Sequence, residues 1–307
     1  MASSSLVVTG SIGIDTIHTP HHPVAENVMG GSCAYFAASA SLLAPVRLVA
    51  AVGEDWPTEH EAVLRNFDRI DVAGLERRAG SKTFRWTGKY HDNMNVRETL
   101  DVQQGILGEA PPPVPTAFAD SDFVFLANTD PASQKSLRDS FPDCKLAVAD
   151  TMDLWINTMR DDLVTLLKSV HGLVLNDSEA TLMTGVSNAI TAAKQIRDDY
   201  GLQFVLVKKG EHGSILVHED GLAALPAYPA EKVDDPTGAG DSFAGGLMGF
   251  LAANDRTDFE ALQLGMALGT VMATFTIESF SLDRLTTLTN DELIARLNRF
   301  AQIVRVK

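Results

Sequence analysis

The sequence predicts an α/β fold in three layers, a mainly parallel central sheet with helices on both faces and a small β element set apart from it. Three observations carry this. Short runs of apolar and β-branched residues recur along the chain, helically patterned stretches separate them, and one segment alternates apolar and polar side chains around a polar turn. The expected strands are 6–8, 46–52, 123–126, 146–149, 172–175 and 204–207, each next to a turn or polar loop. The expected helices are 32–43, 59–67, 154–167, 178–183, 189–200, 242–253 and 259–275. In such an alternation ligands bind outside the carboxyl ends of the strands. The segment that breaks the rhythm is 82–102, KTFRWTGKYHDNMNVRETLDV, read as an antiparallel hairpin turning at HDNMN. It is either a lid over a site or an edge hairpin of the main sheet. The stiff stretch APPPVP at 110–115 then returns the chain to the main body, and no internal repeat is found.

At 307 residues and 45% hydrophobic content the chain can fill a core of its own, and one domain spanning 1–307 is expected. Two cysteines, Cys33 and Cys144, show neither a CxxC nor a Cys/His ligand spacing, so no disulfide framework or zinc site is supported. The start MASSSLVVTGSIGID lacks a basic region ahead of a long apolar stretch, and no run of about 18 apolar residues follows. A cytoplasmic protein without a membrane partner is the expectation. A formal net charge of -15 disfavours nucleic acid as a partner. Small phosphorylated ligands stay open, because backbone amides and one or two lysines can bind them locally.

The most informative stretch is 233–249, VDDPTGAGDSFAGGLMG. Gly238, Ala239 and Gly240 lack large side chains, so their amides can approach a ligand where an apolar helix begins. Unpaired amides and the positive end of the helix dipole favour a phosphate there. Asp241 falls in the first helical turn, either as a helix-start carboxylate without further duty or as a base that takes an alcohol proton beside the held phosphoryl group.

Residues 235–246, DPTGAGDSFAGG, resemble the C-terminal motif of the ribokinase/PfkB carbohydrate kinase family, D-T-x-G-A-G-D followed by a small-residue helix. No Walker GxxxxGK[ST] loop occurs. Further matches come in the family's order: GSIGID at 10–15, the double glycine Gly30 and Gly31, VRLVAAVGEDWP at 46–57, NDSE at 176–179 and VKKGEHGS at 207–214. Together they span about residues 5 to 280. The resemblance implies a ribokinase-like fold with a small β lid from about 82–102, to which 14–28 is a candidate addition. It also implies an ATP-dependent kinase of a sugar or sugar-like hydroxyl, with a nucleoside kinase as the alternative and a catalytically silent ligand binder as a further one.

By the same resemblance Asp241 is the base and Gly238, Ala239 and Gly240 form the anion hole. The acceptor is expected at Asp15, Gly30, Gly31, Ser32, Tyr35 and Arg97. The nucleotide is expected at Asn176, Glu179, Lys208, Lys209, Gly210 and Gly213, with Glu179 ordering water around Mg2+. Asp235 and Thr237 are the family's candidates for a monovalent cation, K+, although Pro236 stands where many members have threonine or serine. Structural readings stand beside these: N-x-x-E is also a helix cap, a lysine or Arg97 is also a solvated charge, and Trp86 is also packing. Tyr35 departs most clearly. It stands where many sugar kinases of the family carry an asparagine, and a phenol cannot supply an amide's paired donor and acceptor. A sugar, polyol or nucleoside is therefore the expected partner, together with a homodimer through the lid edge.

Overall fold

In the computed structural model, residues 5–305 are described. The chain begins with β1 (Leu6–Thr9), β2 (Gly13–His18), β3 (Ala25–Gly30), α1 (Ser32–Ser41), β4 (Val46–Gly53), α2 (Thr58–Arg65) and β5 (Ile70–Arg78). There follow β6 (Phe84–Tyr90), β7 (Arg97–Gln103), β8 (Phe123–Leu126), α3 (Pro131–Arg138), β9 (Leu146–Asp150), α4 (Asp153–Thr158) and α5 (Arg160–Leu167). The second half runs β10 (Gly172–Asn176), α6 (Asp177–Thr184), α7 (Ala189–Tyr200), β11 (Phe204–Lys208), β12 (Ser214–His218) and β13 (Gly221–Leu225). Four helices close it: α8 (Ala239–Asn254), α9 (Phe259–Thr276), α10 (Asp283–Thr287) and α11 (Asn290–Val304).

The main sheet has the order β13-β12-β11-β10-β9-β8-β1-β4-β5. Its pairs are parallel from β5 through β11, and β12 and β13 add an antiparallel edge. Side-chain alternation divides the core in two. Leu6 and Val8 of β1 join one apolar cluster with α1, α8 and α9, while Val7 joins the other with α3, α5 and α7. Two faces covered by helices make three layers, as the apolar runs imply.

The hairpin is no edge of this sheet. It belongs to a second sheet of order β3-β2-β6-β7, in which β2 and β3 bring most of segment 14–28 beside it. The parallel pairing of β2 with β6 fastens the two pieces together. One expected helix is broken and further elements are added. The helix read across 154–167 is interrupted at Met159, whose φ of -132° leaves the helical range. β5, β12 and β13 are strands that the apolar runs do not announce, and α3 and α11 are likewise added.

Close helix packing positions the later part of the chain. A Cβ on Gly246 would meet Gly269 Cα at 2.9 Å, so α8 and α9 touch backbone to backbone. On its other side α8 lies against α1, where Ser39 Oγ donates to the Ser242 carbonyl at 2.6 Å. No helix among the described residues is long and apolar enough to cross a membrane.

Candidate active site

The start of α8 is built around a left-handed residue. Gly238 is the residue before the helix, with φ 75°, and a Cβ there would fall inside the ring of Tyr35. Only glycine satisfies both demands. Ala239, Gly240 and Asp241 then occupy the first three helical positions, whose amides have no acceptor within the helix, although the Ala239 amide donates to the Pro236 carbonyl just before it at 3.2 Å. A Cβ on Gly240 would lie 2.7 Å from Lys208 Nζ, so the last residue of β11 brings its ammonium to the same helix start.

Asp241 is half-buried beside these amides. Burial raises its pKa, and the positive charges of Lys208 and Arg97 oppose that rise. Arg97 comes from the lid, where it pairs with Tyr90 across the hairpin and sits 5.7 Å from the centre of the Trp86 ring. Trp86 itself donates to Thr99 Oγ1 at 3.2 Å and serves packing within the lid. The lid touches the helix start directly: the Tyr90 hydroxyl meets Thr237 Oγ1 at 3.0 Å, and His22 Nε2 meets Asp234 Oδ1 at 3.0 Å. Its tip reaches the other flank, as Asn95 Nδ2 donates to Glu211 Oε1 at 3.1 Å.

The acceptor candidates separate on inspection. Asp15 is buried on β2, and Gly30 must lack a side chain because a Cβ there would collide with the Asp15 carboxyl. Gly31, at φ 98°, passes against the Ser11 carbonyl before α1. The Ser32 hydroxyl lies 3.0 Å from Ser11 Oγ and donates to the Asn128 carbonyl at 3.3 Å, so its proton is used within the protein. Tyr35 is buried with its ring under Gly238, and burial, then the charges of Asp235 and Asp15, raise its pKa well above the usual phenol value.

Burial first, then the charges of Asp235 and Asp241, push the Asp15 pKa up to about 8. Between the usual value of 3.8 and about 8 the folded protein keeps a proton that the unfolded chain releases. This contribution therefore lowers stability as pH rises through that window and levels off above it. Asp15→Asn cannot ionise. The difference in melting temperature, variant minus wild type, is expected to grow from pH 4 to pH 8 in scans at constant ionic strength. A difference that stays constant across the window would show that Asp15 does not hold that proton.

On the nucleotide side, Asn176 and Glu179 form a reciprocal capping box at the start of α6. Asn176 Oδ1 accepts from the Glu179 amide at 2.8 Å, and Glu179 Oε2 accepts from the Asn176 amide at 2.8 Å. The cap thus uses part of both side chains. Burial raises the Glu179 pKa, with Lys208 the main opposing charge. Lys208 joins this group, and the Lys209 amide donates to the Gly213 carbonyl at 2.8 Å and closes the turn. Gly210 lies at that turn with φ 54°, 3.8 Å in virtual-Cβ distance from Asn95 Oδ1. Gly213 is required by packing, since a Cβ would strike the Leu225 carbonyl of β13. Thr237 has its hydroxyl engaged by Tyr90, and Asp235 is fully buried, its Oδ1 accepting from the Thr237 amide at 2.9 Å. Burial pushes the Asp235 pKa up to about 6.

One acid went unnoticed in the sequence. Asp150 ends β9, is buried, and has a pKa raised well above the usual value by burial and then by Asp241. Lys208 and Glu179 are among its charged neighbours. The signal was an aspartate closing the apolar run LAVAD at a carboxyl strand end, where ligands of such sheets bind.

An amide-lined helix start, an adjacent carboxylate and an ammonium, under a β lid at the carboxyl edge of a mainly parallel sheet, define a phosphotransferase with a hydroxyl acceptor. The chain belongs to the pfkB family of carbohydrate kinases, whose sequence profile matches residues 113–280. The cytidine kinase of Thermococcus kodakarensis is 31% identical over 251 residues, covering 79% of this chain and 87% of that protein. The fold is ribokinase-like. The nucleoside kinase of Methanocaldococcus jannaschii superposes with a TM-score of 0.77 at 22% identity, covering 97% of this chain and 100% of that one. A nucleoside kinase of Burkholderia thailandensis in complex with inosine gives 0.77 at 19%, covering 98% and 99%. The activity these relationships support is that of a sugar or nucleoside kinase.

Proposed function

We propose that this protein is an ATP-dependent nucleoside kinase that phosphorylates a ribose hydroxyl, with Asp241 as the base. One observation carries the reading: the Asp241 carboxylate stands at the third position of α8, in the amide-bearing first turn beside Lys208, and feels the positive charges of Lys208 and Arg97. The acceptor hydroxyl gives its proton to Asp241 while its oxygen attacks the γ-phosphorus. The amides of Gly240 and Asp241 stabilise charge on the transferred group, and ADP leaves toward Lys208. The names of the cytidine and nucleoside kinase relatives favour a nucleoside over a free sugar.

Among the described residues no group of three His, Cys, Asp or Glu side chains is arranged to hold a metal ion. That suits magnesium bound chiefly by nucleotide phosphates and water, with Glu179 and Asp150 as the carboxylates that would hold its waters. When bound, the ion supplies positive charge to the phosphate oxygens. Asp235 Oδ2, buried without a partner among the described residues, suits a potassium ion. The Thr237 hydroxyl is also bonded to Tyr90.

The test is ADP release from ATP across a panel of ribonucleosides, free sugars and polyols. Ribonucleosides are expected to give the highest kcat/KM. Preference for a free sugar would replace the nucleoside reading with the sugar kinase reading, and no release with any acceptor would leave a silent ligand binder. The lid edge β7 is exposed along its length, including Val96 beside it and Leu100 and Val102 within it, and a homodimer paired there is part of the proposal. The mass of the same preparation in solution checks it.

A further inference from the structure

Three side-chain contacts fasten the lid to the main body, and one of them differs in kind. Tyr90 meets Thr237 and His22 meets Asp234, both on the stretch of chain that leads into α8. The third, Asn95 Nδ2 donating to Glu211 Oε1 at 3.1 Å, joins the lid tip to the turn that follows β11. Both ends of this contact are built by local bonds. At the tip, Asn93 Oδ1 accepts from the amides of Asn95 and Val96, each at 3.1 Å, and the Met94 amide donates to the His91 carbonyl at 2.7 Å. An asparagine that bonds the backbone two and three residues ahead fixes such a turn, and here it presents Asn95. In the facing turn the His212 amide donates to the Lys209 carbonyl at 3.0 Å and the Gly213 amide to the Gly210 carbonyl at 3.1 Å. His212 Nε2 lies 4.0 Å from Glu211 Oε1, too far for a hydrogen bond, so the carboxylate is bonded by Asn95 and not by its own neighbour.

We infer that Asn95 and Glu211 are positioning residues, a clasp that sets the lid in register with the nucleotide turn and so couples nucleotide binding to closure of the lid. This rests on the kinase reading above and goes beyond it, naming the contact through which the two halves of the site sense one another. The placement gives the clasp its leverage. Lys208 stands three residues before Glu211 and Arg97 two residues after Asn95, so one contact fixes the spacing of the two cations whose charges act on Asp241. The source of the coupling is the turn itself. Gly210 and Gly213 hold it at φ 54° and 89°, and glycine leaves such a turn much conformational freedom. A nucleotide lying against the turn removes that freedom, after which the clasp has less entropy to lose on forming. By reciprocity a formed clasp strengthens nucleotide binding to the same degree.

The experiment measures amide hydrogen exchange over 91–97 in the whole protein, with and without ADP and Mg2+, and ADP affinity by calorimetry. It compares wild type, Asn95→Ala and the double variant Asn95→Asp/Glu211→Gln. The first variant deletes the clasp without altering charge, and the second reverses its donor and acceptor at unchanged net charge. In the wild type ADP is expected to slow exchange at the tip. Asn95→Ala is expected to lose this slowing and to bind ADP about fivefold more weakly, the worth of one exposed hydrogen bond. The double variant is expected to keep both properties. Equal slowing by ADP in wild type and Asn95→Ala, no slowing in either, or a double variant that behaves as Asn95→Ala would overturn the clasp and leave the kinase reading intact. Failure of the wild type to bind ADP at all would instead remove the kinase reading and the clasp together.

Discussion

Asp241→Asn is expected to lower turnover by ~10²-fold or more while the protein folds and binds ATP as before. Asparagine matches the carboxylate in shape, so the packing of α8 against α1 and α9 is retained. What it loses is the capacity to take the acceptor proton. The environment of Asp241 also fixes the sign of the pH effect. Burial holds its pKa above the ordinary carboxylate value against the pull of Lys208 and Arg97, and only the ionised form is a base. In the wild type kcat/KM is therefore expected to rise with pH through that elevated pKa, and the variant is expected to lose this limb. Steady-state rates across pH, with ATP affinity measured separately, give both readouts. Undiminished turnover in the variant would remove Asp241 from the chemistry.

Gly238→Ala is expected to damage both the fold and the rate. A residue with a Cβ at φ 75° is strained by roughly 1–2 kcal/mol, and here the added methyl also meets an aromatic ring that cannot withdraw. A total loss of about 2–4 kcal/mol of stability follows from strain and overpacking together. Displacing the loop also moves the Ala239 and Gly240 amides, so a fall of about 10²-fold in kcat/KM is expected. Gly240→Ala is the matched comparison. Its Cβ would meet only the end of the flexible Lys208 side chain, at 2.7 Å, and its φ is not positive, so its melting temperature is expected to stay near that of the wild type. Equal melting temperatures for wild type and Gly238→Ala would show that the tyrosine ring is not a rigid neighbour.

The parts of the molecule legible in the sequence were those where one physical demand dominates. Buried parallel strands must be apolar throughout, so β1, β4, β8, β9, β10 and β11 stood out within a residue or two. The GAGD segment was legible because close approach and a left-handed turn leave few residue choices. β5 and β13 carry polar or exposed residues at alternate positions and lie at the sheet edges, where half-burial weakens the apolar signal. The roles of Ser32 and Gly213 were not legible for a different reason. Their motifs are the same whether the group meets a ligand or the protein's own chain, and only the folded structure brings Ser11 and Leu225 to them. Asp150 was missed because a single acid ending a strand has no spacing to mark it.

The contact of Gly246 with Gly269 has an effect that reaches well beyond the interior. Because two backbones meet there with no side chain between them, α8 has no slack along which to slide or roll. A methyl added at this crossing, more than a helical turn from Asp241, would lever the whole rod and shift its working end. Variants of this kind would mimic lesions of the reaction centre in an assay, although every atom that meets the reactants is unaltered. The crossing acts as a fulcrum, and the accuracy of the reaction is set partly at a place the reactants never visit.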